Sequence, residues 1–282
     1  MPAALAGLAS VLWGTADFLG GFASSGWRAE RVAGVSQVVG LALLLALAPV
    51  FTGPLAPTGD LAWGAAAGAV GAVGATMLYR SLAIGPMNVA APTVAVVAAV
   101  VPTVVGLAQG ERPSAVAMAG IGLAVVAVAL VGGAGGSGRA SARASTRVLL
   151  IAAGAGVGLG LANVAFAQTS AEAGLWPVVA TKLVAGIALW SFVLATRGPA
   201  DVPASRRNVS FALWTGVVDA GATMSLALAL QRGSLVVVSV LGSLFPVVTV
   251  VLARLVLAEP IARAQQVGLA FALVAVVLIV GG

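Results

Sequence analysis

The sequence predicts an all-α membrane protein with ten transmembrane helices, arranged as two inverted five-helix repeats around a central cavity. Three observations lead to this prediction: the composition, a series of apolar runs, and short motifs that recur in both halves. Hydrophobic residues make up 61% of the 282 positions and charged residues only 8%. Because an ordinary soluble domain carries about 25% charged residues, we expect lipid rather than water as the main solvent of this chain.

Ten apolar runs approach the length of about 20 residues that a helix needs to cross a bilayer. They lie near residues 4–23, 32–51, 62–82, 88–107, 115–131, 148–167, 176–195, 211–230, 235–255 and 266–280. The ninth run contains Pro246, which is expected to free a backbone carbonyl and provide a hinge. A polar linker over 132–147 separates the first repeat, 1–131, from the second, 148–282.

The arginines next to the runs predict an orientation. Eleven lie on the side opposite the chain termini, whereas Arg112 and Arg232 lie on the same side as the termini. Because basic residues collect in cytoplasmic loops, both termini are expected outside a multi-pass cell (plasma or inner) membrane.

Short motifs recur at nearly constant spacing and indicate an internal duplication. Glu111 has its counterpart in Glu259, and the tetrapeptide Gly-Ala-Thr-Met occurs at 74–77 and again at 221–224. A repeat with an odd number of helices places the second copy upside down in the membrane. Inverted repeats of this kind are typical of alternating access about a site near the midplane.

Three ionisable residues lie well inside the predicted spans, away from their ends: Asp17, Lys182 and Asp219. A charge at this depth costs a few kcal/mol or more, so each is a candidate functional residue. Lys182 is the only lysine among the fourteen basic residues, and lysine, unlike arginine, loses its proton when desolvated. We expect Lys182 either to titrate or to form a structural pair with Asp17 or Asp219.

Five further side chains complete the predicted site for substrate and protons: Trp13, Gln37, Tyr79, Asn163 and Thr223. Trp13 lies one helical turn before Asp17 on the same face, either as an aromatic wall of the site or as part of an interfacial belt. Asn163 occupies the position of Asp17 in the second half, so the two halves are expected to differ in charge.

Several function classes are excluded by composition. The chain contains no cysteine and no histidine, which removes the commonest metal ligands, and we predict no cofactor and no bound metal. Gly133, Gly135 and Gly138 follow a membrane helix rather than a strand, so they do not form a dinucleotide fingerprint. The basic residues are scattered, which argues against nucleic acid. The eight acidic residues are never adjacent, so a membrane-bound enzyme is not expected.

The order of several short motifs identifies a family resemblance. They are Trp13-Gly14 with Asp17-Phe18, Gly110-Glu111-Arg112, Ser243-Leu244-Phe245-Pro246-Val247-Val248, and Ala258-Glu259. In this order they resemble EamA-type transporters of the drug/metabolite transporter (DMT) superfamily. Ala258 departs from the glycine usual in that family, and Pro260 from a frequent arginine.

The resemblance implies a secondary transporter, typically an exporter of small polar metabolites. If all three intramembrane groups are ionised, one carboxylate is left to bind a cation or a proton. We therefore predict proton-coupled export of an amino-acid-like metabolite or a drug, with the lipid bilayer as environment and a homodimer left open. An uncoupled facilitator and an accessory structural subunit are the alternatives.

Overall fold

The computed structural model describes residues 1–24, 26–51, 54–84, 87–133, 146–196, 204–257 and 262–281, and within these ranges it contains helices but no strand. The α-helices are α1 (Pro2–Ser24), α2 (Ala29–Phe51), α3 (Thr58–Ile84), α4 (Met87–Ala108), α5 (Ala115–Gly133), α6 (Thr146–Ala167), α7 (Trp176–Ala195), α8 (Arg206–Leu230), α9 (Leu235–Gly242), α10 (Phe245–Leu257) and α11 (Arg263–Gly281). A single 3₁₀ turn, Ala171–Ala173, precedes α7.

Each of the ten predicted runs overlaps a helix of the structure. In the described part of the chain, eight segments are long and apolar enough to cross a membrane, and α4 and α5 supply the shorter apolar stretches Thr93–Ala108 and Ala115–Val131. The predicted linker, 132–147, lies almost wholly outside the described residues.

The ninth run is not one continuous helix. It divides into α9 and α10, which are separated by a turn at Ser243 and Leu244. Pro246 is the second residue of α10, where its missing N–H is tolerated because the first turn of a helix has no internal partner for it. The expected hinge is therefore a full break in the helix.

Helices of the first half pack mainly on helices of the second. α1 lies against α8 and α3 against α6, while α5 packs on α11 and α2 on α7. Glycines permit this contact: a Cβ on Gly74 of α3 would lie 3.0 Å from the Ala155 carbonyl oxygen, and one on Gly158 of α6 would lie 2.9 Å from the Gly74 Cα. Gly74 and Gly158 therefore belong to a small-residue packing surface between α3 and α6.

The outer surface of the bundle is apolar as well. Leu150, Leu273 and Val277 are 67%, 71% and 69% exposed, which suits contact with acyl chains. Because the helix faces toward protein and toward lipid are both apolar, the hydrophobic pattern along a helix does not reveal which face is buried.

Candidate functional site

Lys182 and Asp219 form an ion pair within the bundle. The Lys182 Nζ lies 2.5 Å from the Asp219 Oδ2, and the two side chains are 3% and 18% exposed. Of the two acids considered as partners from the sequence, the structure therefore selects Asp219. A pair so well shielded from solvent is costly to break, because removal of one partner leaves the other charge unpaired.

Trp13 is a second hydrogen-bond donor to the Asp219 carboxylate. Its indole Nε1–H donates to the Asp219 Oδ1 at 3.1 Å, so each carboxylate oxygen has its own donor. The Trp13 ring packs edge-to-face on Phe245, with ring centroids 6.5 Å apart. These contacts hold the indole against partly buried neighbours, which favours the interpretation of Trp13 as part of the site over an interfacial belt.

Asp17 is the second carboxylate of this group. It lies one turn beyond Trp13 on α1, within range of electrostatic repulsion from Asp219, and the residue is exposed at the surface of the helix bundle. Lys182 is within ion-pair distance of Asp219 and, among the described residues, Asp17 has no such partner. The group of Trp13, Asp17, Lys182 and Asp219, hereafter the charged cluster, thus carries one net negative charge when all its groups are ionised.

A glycine on α2 makes room for the lysine. A Cβ on Gly40 would lie 3.4 Å from both the Cδ and the Cε of Lys182, and 3.3 Å from the Ala220 Cβ. A cavity of about 220 Å³ is lined by Gln37, Lys182 and Trp190, among others. Gln37 and the lysine of the charged cluster thus line the same cavity.

In the described part of the chain, Thr223 and Asn163 make no hydrogen bond to a side chain of the cluster. Thr223 is buried, and its hydroxyl donates to the backbone oxygen of Asp219 in its own helix at 2.8 Å. Asn163 is half-buried on α6, which packs mainly on α3 and α4. The Tyr79 side chain lies outside the described residues.

A larger cavity lies between the halves at the end where α1 begins. It has a volume of about 680 Å³, and its lining residues are Met1, Leu5, Leu47, Ala171, Glu172, Gly174, Leu175, Met224, Leu228 and Arg232. Met224 follows Asp219 by five residues in α8, which corresponds to about 7.5 Å along the helix. Met224, one of the residues that line this cavity, therefore lies one to two helical turns from Asp219 of the charged cluster.

Two residues that the sequence does not predict for the site make contacts between distant helices: Phe245 and Asp60. Phe245 belongs to the motif that begins at Ser243, and in the structure it packs on the Trp13 ring. Asp60 accepts hydrogen bonds from the Ser170 backbone N–H at 2.7 Å and the Ser170 hydroxyl at 3.1 Å, and so ties α3 to the turn before α7. An acid in the first turn of α3 looks like an ordinary helix-end residue in the sequence, so no local signal revealed this partner.

Comparison with known proteins agrees with this architecture. The profile of the EamA-like transporter family matches residues 1–133 and 146–281. One solved structure, described only as a crystal structure of a protein, superposes with a TM-score of 0.77 at 18% identity, covering 98% of this chain and 95% of the other. That similarity shows a shared fold. A search of curated proteins finds no match.

Proposed function

The chain belongs to the EamA-like transporter family, and from this premise we propose that it is a proton-coupled secondary transporter that exports a small polar metabolite, amino-acid-like, or a drug. The family membership and the apolar helices make it a multi-pass membrane protein of a transporter family. Direction, coupling ion and substrate class are the proposed part. We place both termini outside the cell membrane, as the arginine distribution predicts.

Alternating access is supported by the symmetry of the helix contacts. The contact of α1 with α8 is repeated by α6 with α3, and that of α2 with α8 by α7 with α3. α5 with α11, and α2 with α7, pair helices that occupy equivalent places in the two halves. This pattern is expected of two five-helix repeats related by a twofold axis in the membrane plane, with α9 and α10 together forming one span.

The observation that carries the proposed mechanism is the state of Asp17. Asp219 is neutralised by Lys182, whereas Asp17 is exposed and has no cationic partner among the described residues. The chain has no histidine, so Asp17 is the group best placed to exchange a proton for a cationic substrate. The ionised Asp17 carboxylate binds the cationic substrate from the cytoplasm. On the outer side the substrate leaves and a proton binds to Asp17 in its place. The transporter then returns to the inward-facing state with this proton bound.

The test is gradient-driven uptake into inverted vesicles, offered a panel of amino acids and cationic drugs with and without a proton gradient. Asp17→Asn should abolish uptake driven by the gradient, because an amide cannot exchange protons. The matched control is Glu30→Gln, which removes a partly exposed acid paired at 3.6 Å with Arg28, away from the charged cluster. It should transport like the unmodified protein.

Two results would contradict the proposal. If Asp17→Asn still accumulates substrate against its gradient, Asp17 is not the coupling residue. If the unmodified protein equilibrates substrate but never accumulates it, the uncoupled facilitator is the correct alternative.

A further inference from the structure

Glu111 connects the two halves of the chain at a helix start. Its Oε1 accepts the Leu235 N–H at 2.7 Å, and its Oε2 accepts the Val236 N–H at 3.1 Å as well as the Ser234 hydroxyl proton. The Ser234 hydroxyl in turn accepts the Val237 N–H at 3.2 Å. The N–H groups of the first three residues of α9, which have no partner inside a helix, are thus all satisfied, two of them by a residue of the other half.

The backbone conformation at the end of α4 directs the Glu111 side chain toward α9. Gly110 has φ of 96°, in the region that favours glycine. The Gly110 N–H donates to the Leu107 oxygen at 3.1 Å and the Glu111 N–H to the Gly106 oxygen at 3.0 Å, which ends α4 in a Schellman motif. Gly106 leaves room for the partner, because a Cβ there would lie 2.7 Å from the Val236 Cγ2. The Gly-Glu pair therefore turns the chain back so that the carboxylate meets α9.

The other end of α9 reaches the charged cluster. α9 is eight residues long, about 12 Å, and stops at the break before Phe245. Beyond the break, Phe245 packs on the Trp13 ring, and the Thr249 hydroxyl donates to the Gly14 oxygen at 3.2 Å. A Cβ on Gly14 would lie 2.6 Å from the Phe245 oxygen, so α10 lies tightly on α1 beside Trp13.

From this chain of contacts we infer that Glu111 is a positioning residue: by holding the start of α9, it sets the place of Phe245 and thereby keeps the Trp13 indole on Asp219. α9 is short and its far end is a break, so the register of α9 depends on how its start is held. Loss of the carboxylate lets α9 shift, and the indole then moves away from Asp219 to a more exposed position. The inference rests on the proposed function only in taking Trp13 as part of the substrate site.

Trp13 itself provides the readout, without any substrate. The purified full-length protein is studied in lipid nanodiscs, and the Trp13 emission is obtained by subtracting the spectrum of each variant's Trp13→Phe counterpart, since the chain has six tryptophans. In Glu111→Gln, the amide NH₂ opposes an N–H of α9, so we expect the Trp13 emission to shift to longer wavelength and acrylamide to quench it more strongly. Ser234→Ala removes the hydroxyl link to Glu111 and the cap on the Val237 N–H. It keeps both backbone N–H bonds to the Glu111 carboxylate and should give a smaller shift in the same direction.

The matched control is Ser114→Ala. Ser114 caps α5 by accepting the Ala117 N–H at 3.0 Å, and α5 carries none of the predicted site residues. This variant loses a serine cap of comparable value, about 1 kcal/mol on average for such residues, and should leave the Trp13 signal unchanged.

An unchanged Trp13 signal in a folded Glu111→Gln protein would overturn the inference, and so would an equal shift in Ser114→Ala. If Glu111→Gln does not fold, Ser234→Ala decides: a Trp13 shift supports the inference and an unchanged spectrum overturns it. Failure here leaves gradient-driven uptake and its dependence on Asp17 untouched, so it is distinguishable from failure of the proposed function.

Discussion

The ion pair between Lys182 and Asp219 makes a sharp quantitative prediction. Lys182→Met keeps most of the apolar stem but removes the ammonium that lies 2.5 Å from the Asp219 Oδ2. Asp219 retains the Trp13 N–H but loses its counter-charge at a site only 18% exposed. Removal of one member of a buried pair costs about 3–5 kcal/mol, and we expect the lower end because Asp219 keeps partial access to solvent.

The double variant Lys182→Met with Asp219→Asn should recover most of this loss, because it leaves no unpaired charge and the amide oxygen still accepts the Trp13 N–H. A double-mutant cycle of the free energy of unfolding, measured by denaturant titration in micelles, should give a coupling of at least about 2 kcal/mol. The partly exposed surface pair of Arg28 and Glu30, with atoms 3.6 Å apart, is the control and should give at most about 1 kcal/mol.

Coupling no larger than that of the surface pair would refute the reasoning, because it would mean that solvent or lipid headgroups replace the partner. The same double variant also tests the role of the lysine. Since Asp17 retains the net negative charge, gradient-driven uptake should persist. Loss of uptake in a stable double variant would show instead that Lys182 titrates during transport.

Two further predictions concern packing and orientation. Gly158→Ala should lower the thermal unfolding temperature in detergent, because its Cβ would lie 2.9 Å from the Gly74 Cα. The control Gly122→Ala should leave that temperature unchanged or raise it, because a Cβ there has nothing within 4 Å. Equal effects of the two variants would contradict the close contact of α3 with α6. Because the chain has no cysteine, a thiol introduced by Glu172→Cys should react with an impermeant maleimide on intact cells, and one introduced by Arg206→Cys only after permeabilisation. The opposite pattern would reverse the proposed topology.

Comparison of the predicted runs with the helices shows what the local sequence determines. Each of the ten runs overlaps a helix, because lipid requires backbone hydrogen bonds to be satisfied within each segment and the length and apolarity of a run therefore indicate a helix. The ninth run was predicted as one helix, but whether a proline produces a hinge or a full break depends on its neighbours. Here the break at Ser243 and Leu244 places the start of α10 against Gly14.

The candidate site was predictable only in part. Asp17, Lys182 and Asp219 were identifiable because an ionisable side chain at membrane depth is costly and therefore conspicuous. Their arrangement was not, since depth along the membrane permitted either acid as the partner of Lys182. Thr223 shows the same limit: its position suggested a site residue, but its hydroxyl donates to its own helix backbone.

The sequence alone thus determined the membrane setting, the helical segments and the few polar groups within them, because these depend on transfer of each residue from water to lipid. Tertiary structure decided which groups meet. Trp13 and Asp219 are 206 positions apart, and Glu111 and Leu235 are 124 apart. Such contacts depend on how each helix is rotated about its axis and on where glycines allow close approach. Helices with apolar faces toward both protein and lipid carry too little pattern to set that rotation, so packing of the two halves sets it.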